Sequence, residues 1–296
     1  MNNAYFKITN ADETNHTFVY KEGINIIDKP CEFVGDFIIG DLYFTTIDNI
    51  DKFYGDGIYL REIYLPNDDP ELKIIQDKTN NKYYANKQIL GKRYSLFDPE
   101  TYKKFNLDIT KNTHLVDFAT RYGKLDFLDW WIKSNIHLIY STDALTWASQ
   151  YKQLKALEWW SKSNLPLKYN IFAIDRASNY GNIEVLEWWL NSGLNLLYSC
   201  RSMDWPSKNN HTDVLNWWIK SGLELKYSSN SMDWASENGH IDVLDWWLNS
   251  GLELKYSHSA MTSATSNNQL ASINWWKKSG LMDKLEKNPF YKDLFK

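Results

Sequence analysis

Ser228-Ser-Asn-Ser-Met-Asp-Trp-Ala-Ser-Glu-Asn-Gly-His-Ile-Asp-Val-Leu-Asp-Trp-Trp-Leu-Asn-Ser-Gly-Leu-Glu-Leu-Lys-Tyr256 reads as two helices and the turns that end them. The first starts near Asn230, a good N-cap residue, with Asp233 as an acid in its first turn. It ends at Asn238-Gly239, where glycine tolerates the left-handed backbone of a C-cap. The second starts near His240 and places Ile241, Leu244, Trp247 and Leu248 on one face, widened by Val243 and Trp246. Ser250-Gly251 ends it.

The Trp-Trp pair of this unit occurs six times, always 29 residues apart: Trp130-Trp131, Trp159-Trp160, Trp188-Trp189, Trp217-Trp218, Trp246-Trp247 and Trp275-Trp276. Trp147, Trp205 and Trp234 keep a second register of the same period. A fixed period in the 20–50 residue range signals a solenoid of stacked units, which offers a long surface rather than a pocket. The twelve paired tryptophans are therefore expected as structural core. Neighbouring helix positions point about 100° apart, so one ring can face the helix partner and the other the next unit. Acids early in the second helices (Asp126, Asp129, Glu184, Glu187, Asp242, Asp245) and bases late (Lys133, Lys220, Lys277, Lys278) suit the helix dipole. Pro206 stands where other copies have Ala148, Ala177, Ala235 and Ala264, and predicts a distorted first helix in that copy.

Ala235-Ser-Glu-Asn-Gly-His-Ile-Asp-Val-Leu-Asp-Trp-Trp-Leu-Asn-Ser-Gly251 resembles an ankyrin repeat, with Trp246 and Trp247 at the positions of its paired leucines. The likeness covers about 112–280, and the copies beginning near Asn112 and Thr142 match more loosely. The unit has 29 residues against the family's 33, and it lacks the Thr-Pro-Leu-His start and the Asp-Gly hairpin turn. The missing residues come out of the hairpin finger, so binding is expected on the inner face of the first helices. In ankyrin repeats the histidine after the turn commonly serves that turn, and His211 and His240 hold this position.

Residues 1–97 carry none of the repeat. Strand-like runs at Tyr5–Ile8, Phe37–Ile39, Leu42–Thr46, Ile58–Leu65 and Leu72–Ile75 predict a small α+β domain. Thr46–Tyr54 suggests a short helix, and Lys82–Leu90 is ambiguous. The succession Tyr5-Phe-Lys-Ile-Thr-Asn10, Gly40-Asp-Leu-Tyr-Phe-Thr-Thr46, Leu60-Arg-Glu-Ile-Tyr-Leu-Pro66 and Ile89-Leu-Gly-Lys-Arg-Tyr94 resembles the N-terminal segment of ankyrin-repeat proteins of mimivirus-type giant viruses. That resemblance implies a viral protein acting in host cytoplasm or packaged in the virion.

The expected organisation is multidomain: an α+β domain over 1–97, then an all-α ankyrin-like solenoid over 98–296. A half-repeat at 98–111 opens the solenoid, with Asp98 as N-cap and Pro99 after it. Copies follow at 112–140, 141–169, 170–198, 199–227, 228–256 and 257–280. A lysine-rich helix from Leu281, ended by Pro289 and pinned by Phe290, Leu294 and Phe295, closes it at 281–296.

Residues 1–110 hold 13 Lys+Arg against 18 Asp+Glu, and residues 111–296 hold 20 against 19, so neither half is a basic phosphate binder. Only Cys31 and Cys200 occur, no apolar run is long enough to span a membrane, and the first residues lack the apolar core of a signal sequence. The Asn-x-Thr matches at Asn15 and Asn210 are chance in an intracellular protein. No metal, cofactor, nucleic acid or membrane partner is expected. No catalytic constellation stands out among the six histidines. The best enzymatic candidate is Arg61-Glu62, whose bland reading is a charge pair on a solvated sheet face.

The function expected is a non-enzymatic protein-interaction scaffold. Its partner contacts would come from positions that change between copies on the first helices: Asp143, Gln150, Phe172, Arg176, Asn179, Arg201, Lys208, Asn230 and Glu237. Two alternatives stay open. One is a structural or virion-packaged component without a host target; the other is an enzyme in 1–97 with the repeats recruiting substrate.

Overall fold

The structure is a computed structural model, and it describes residues 5–15, 18–28, 32–34, 37–39 and 42–281. The expected closing helix and its pinning residues lie outside this range. The chain divides into two compact units, Met1–Ala119 with Lys124–Tyr140, and Thr120–Gly123 with Ser141–Lys296. This division falls later than residue 97, where the repeat register begins.

The N-terminal unit contains strands β1 Tyr5–Thr9, β2 Thr14–Asn15, β3 Phe18–Val19, β4 Gly23–Ile26, β5 Glu32–Val34, β6 Phe37–Ile39, β7 Tyr43–Thr46, β8 Tyr59–Tyr64, β9 Ile74–Asp77, β10 Lys82–Ala85 and β11 Lys87–Ser95. Seven of them form one sheet in the order β4-β11-β8-β1-β7-β10-β9, every pair antiparallel. The expected short helix is a 3-10 helix, Ile47–Asp56. The ambiguous stretch Lys82–Leu90 resolves into the end-to-end strands β10 and β11.

Alternation along the strands explains the core. Tyr20, Leu42, Phe44, Ile63, Ala85 and Leu90 form one buried cluster, with Tyr5, Phe18 and Tyr83 packed against it. Lys7 stands directly across from Arg61, and both are buried. Like charges directly opposite repel. Here each cation has its own partners, aromatic faces for Lys7 and carboxylates for Arg61. The Lys7 ammonium lies 3.6 Å from the Tyr43 ring centroid and 4.3 Å from that of Tyr20. Arg61 donates to Glu13 at 2.8 Å, to Glu22 at 2.5 Å and to the Gly91 carbonyl at 2.6 Å.

Helix α1, Pro99–Lys104, starts as expected: the Asp98 carboxylate accepts from Glu100 N at 3.0 Å and Pro99 opens the first turn. Helix pairs follow: α2 Leu115–Arg121 with α3 Leu125–Ser134, α4 Asp143–Gln150 with α5 Leu154–Lys162, and α6 Ile171–Asn179 with α7 Ile183–Asn191. Then come α8 Arg201–Lys208 with α9 Thr212–Lys220, α10 Asn230–Glu237 with α11 Ile241–Asn249, and α12 Ser259–Ser266 with α13 Leu270–Ser279.

Two left-handed residues per copy set the turns. Asn135, Asn164, Gly193, Gly222, Gly251 and Gly280 have positive φ at the end of the second helices. Gly123, Lys152, Gly181, Asn210, Gly239 and Asn268 do so between the helices. At Gly239 a Cβ would also meet Gln269 Oε1 of the next copy at 2.5 Å, so a side chain there would displace that amide. The expected distortion at Pro206 does not occur. Helix α8 runs without a break through Arg201–Lys208, the same eight residues as α10. Pro206 is buried in the alanine position, and its carbonyl accepts from His211 N at 2.9 Å as Ala235 does from His240 N. Packing against neighbouring helices holds the one-bond defect in register.

Candidate functional site

The repeat builds a buried frame from three bonds that recur between copies. The second tryptophan of a pair is the buried one, and from the second pair onward its indole N–H reaches back 40 residues, whereas that of Trp131 donates to the Ile136 carbonyl. Trp160 donates to Thr120 Oγ1, Trp189 to Ser149, Trp218 to Ser178, Trp247 to Ser207 and Trp276 to Ser236, at 2.8–3.1 Å. The second helix of each copy is thereby tied to the first helix of the copy before. The first tryptophan is half-buried, Trp217 alone being buried. It meets its neighbour edge to face at about 5 Å, and three of them donate to the residue before the previous pair: Trp217 to Glu187, Trp246 to Asn216 and Trp275 to Asp245. The apolar face of α11 is accordingly rotated from expectation. Val243, Leu244 and Trp247 are buried, whereas Leu248 is exposed.

The second bond uses an acid. Asp175, Asp204 and Asp233 are buried, and each accepts from both the backbone N–H and the hydroxyl of a serine 24 residues on, Ser199, Ser228 and Ser257. Asp233 sits in the first turn of α10 as expected and is also an inter-copy clamp. The third contact packs Tyr169, Tyr198, Tyr227 and Tyr256, each closing its copy, on the buried tryptophans of the following copy at 4.8–5.1 Å.

Burial raises the carboxyls of Asp175, Asp204 and Asp233 above the ordinary aspartate range, while the serine donors pull them down. Folding thus favours the protonated form. The stabilising contribution of these groups is full below the unfolded-chain value, about 4, and is lost as pH rises through the raised values. Replacing all three with Asn keeps an acceptor for the serine N–H and supplies a donor to the hydroxyl. The triple variant should flatten the fall in stability as pH rises above about 4, without loss at pH 7. An unchanged profile in urea titrations would show that these carboxyls do not carry the dependence.

Three positions of each first helix lie outside this frame and share one stripe at i, i+4, i+7 spacing: the first, fifth and eighth residues of α4, α8 and α10, and in the same register the second, sixth and ninth of α6, which starts one residue earlier. On α4, α6, α8 and α10 these are Asp143, Trp147 and Gln150, then Phe172, Arg176 and Asn179, then Arg201, Trp205 and Lys208, then Asn230, Trp234 and Glu237. Asp143, Arg201 and Lys208 are exposed, and Phe172, Arg176, Asn179, Asn230 and Glu237 are half-buried. Gln150 departs from the expected contact set. It is buried, and its amide oxygen accepts from Arg176 Nη1 at 2.9 Å, so it positions Arg176. The aromatic members Trp147, Trp205 and Trp234 sit between the cations: Arg121 lies 5.5 Å from Trp147, Arg201 lies 5.3 Å from Trp205, and Lys208 lies 5.5 Å from Trp234.

The enzymatic candidate in the N-terminal unit is not a pair. Arg61 and Glu62 are neighbours on β8 and point to opposite sheet faces. Arg61 is held inside by Glu13, while Glu62 accepts from the Tyr64 and Tyr94 hydroxyls, each at 2.8 Å. Among the described residues no group of His, Cys, Asp and Glu could hold a metal ion, and no helix is long and apolar enough to cross a membrane.

No family model matches the chain. A protein of Acanthamoeba polyphaga mimivirus named as an ankyrin repeat protein is 40% identical over 131 residues, 42% of this chain and 64% of that protein. A second so named is 37% identical over 134 residues, 44% of this chain and 40% of the relative. An uncharacterised protein of the same virus is 43% identical over 115 residues, 36% of this chain and 81% of the relative. The chain belongs to the ankyrin-repeat proteins of the mimivirus type. Within that family it carries shortened repeats whose paired tryptophans are divided between a buried anchor and a half-buried partner. The match spans less than two thirds of the two relatives named as ankyrin repeat proteins.

Proposed function

We propose that the repeat array is a protein-interaction scaffold, acting within the host cell, that engages a host or viral protein through the stripe on its first helices. One observation carries this. In the same helices, buried positions repeat the same bonds from copy to copy, while the stripe changes from acid to aromatic to cation. A frame that holds constant and a surface that varies fit recognition rather than packing. The membership in an ankyrin-repeat family supports the general role.

The test is affinity capture from amoebal lysate by the full chain, compared with stripe variants Arg176→Glu and Lys208→Glu and with outer-face variants Ile219→Lys and Leu248→Lys. All four side chains are half-buried or exposed, so melting temperatures should move little. The scaffold reading expects one saturable protein that is lost with the stripe variants and kept with the outer-face variants. Capture that follows the outer face, or follows melting temperature, overturns it.

A further inference from the structure

We infer that the stripe is built for an acidic, extended protein segment. This rests on the scaffold reading and adds the chemistry of the partner. Four cations line the stripe and its border: Arg121, Arg176, Arg201 and Lys208. Among the described residues none of the four has a carboxylate within ion-pair distance, although ion pairs occur elsewhere, as between Lys152 and Glu184 at 2.7 Å. Their partners are neutral. Arg121 donates to the Tyr151 hydroxyl at 2.9 Å and lies 4.5 Å from that ring's centroid. Arg176 donates to Gln150 and lies 5.9 Å from the Phe172 centroid. Arg201 lies between Phe172 at 5.5 Å and Trp205 at 5.3 Å, and Lys208 lies over Trp234 of the next copy.

A cation held by an aromatic face or an amide keeps its full charge, because neither partner is ionised. It is also pre-ordered, so a carboxylate that binds it loses less side-chain entropy. Arginine, with five donors in a planar fork, suits carboxylates in particular. Acids on the stripe are confined to Asp143 and Glu237, while the two middle helices α6 and α8 present only cations, neutral amide and aromatic groups there. An anionic chain laid across those helices meets positive charge first. Packed helices lie about 8–10 Å apart, so a segment crossing four copies needs roughly nine extended residues.

Nucleic acid is the lesser fit. The stripe's rings are already faced by cations, and residues 111–296 hold 20 Lys+Arg against 19 Asp+Glu, which gives no field to gather phosphates.

The probe is a fluorescent peptide of about twelve residues alternating Glu and Ala, titrated into the full chain by anisotropy, beside its Gln-for-Glu counterpart and a single-stranded oligothymidylate of equal charge. The expected result is saturable binding of the Glu peptide alone, weakened roughly tenfold in Arg176→Gln/Arg201→Gln and weakened by salt on the unaltered chain. Arg201→Lys, which keeps the charge, should lose less. Equal binding of the Gln peptide, no saturable binding, or indifference to the double variant overturns the inference. Tighter binding of the oligothymidylate overturns it in favour of nucleic acid. If the Glu peptide fails while lysate capture still depends on the stripe, the scaffold stands and only the acidic partner falls. If the peptide binds while capture ignores the stripe, the scaffold reading falls instead.

Discussion

Trp247→Ala should destabilise the array by about 3–5 kcal/mol, and Trp246→Ala, one residue away, by only about 1–2 kcal/mol. The contrast follows from position. Trp247 is fully buried, packs on Tyr227 at 4.8 Å and gives its N–H to Ser207 at 3.0 Å. Trp246 is half-buried, and its N–H reaches the exposed Asn216 at 2.8 Å, where water can replace it. Ser207→Ala separates packing from bonding. It leaves the ring in place but orphans a buried donor, at a cost of about 1–3 kcal/mol. Every tryptophan lies at or beyond Trp130, so indole fluorescence in a guanidinium titration reports chiefly on the array. Equal losses for Trp246→Ala and Trp247→Ala would show that burial does not divide the pair.

Arg61→Ala should cost the N-terminal unit about 3 kcal/mol. Arg61 is buried and satisfies Glu13, whose side chain is also mostly buried; truncation leaves that carboxylate with only Arg93 at 3.4 Å, on a half-exposed side chain. Removing both charges, as in Arg61→Leu with Glu13→Leu, should recover much of the loss, since an unpaired buried charge is costlier than none. Hydrogen exchange of the β1 and β8 amides in the full chain measures both. If Arg61→Ala leaves that protection unchanged, the cluster is not a structural keystone of the sheet.

Much of the array was legible because its signals are large and repeated. Trp-Trp at a 29-residue period gave the copies, and the Gly and Asn of the two turns gave the helix ends. Which tryptophan is buried was not legible, since adjacent positions on one helix differ only in angle and both are apolar. Asp233 was legible as a first-turn acid but not as a clamp, because its serine partner is 24 residues away in the next copy. Pro206 misled because the helix rule is local, while the stacking that overrides it is tertiary. In the N-terminal unit, Arg61-Glu62 invited pairing by adjacency, but strand alternation separates them and the true partner, Glu13, is 48 residues distant. The edge strand β4 was passed over, because Gly23-Ile-Asn-Ile26 is short and both of its isoleucines are exposed. The stripe's positions could be listed from variability between copies, yet the burial of Gln150 and the cation-over-ring arrangement needed coordinates.

The most direct test places a photo-reactive amino acid at Lys208, on the stripe of α8, or at Ile219, on the exposed side of α9 in the same copy, and irradiates the full chain with the captured protein. Adducts from position 208 and none from 219 are expected if the first-helix stripe is the binding surface. Adducts from 219 alone would contradict it and move recognition to the second helices.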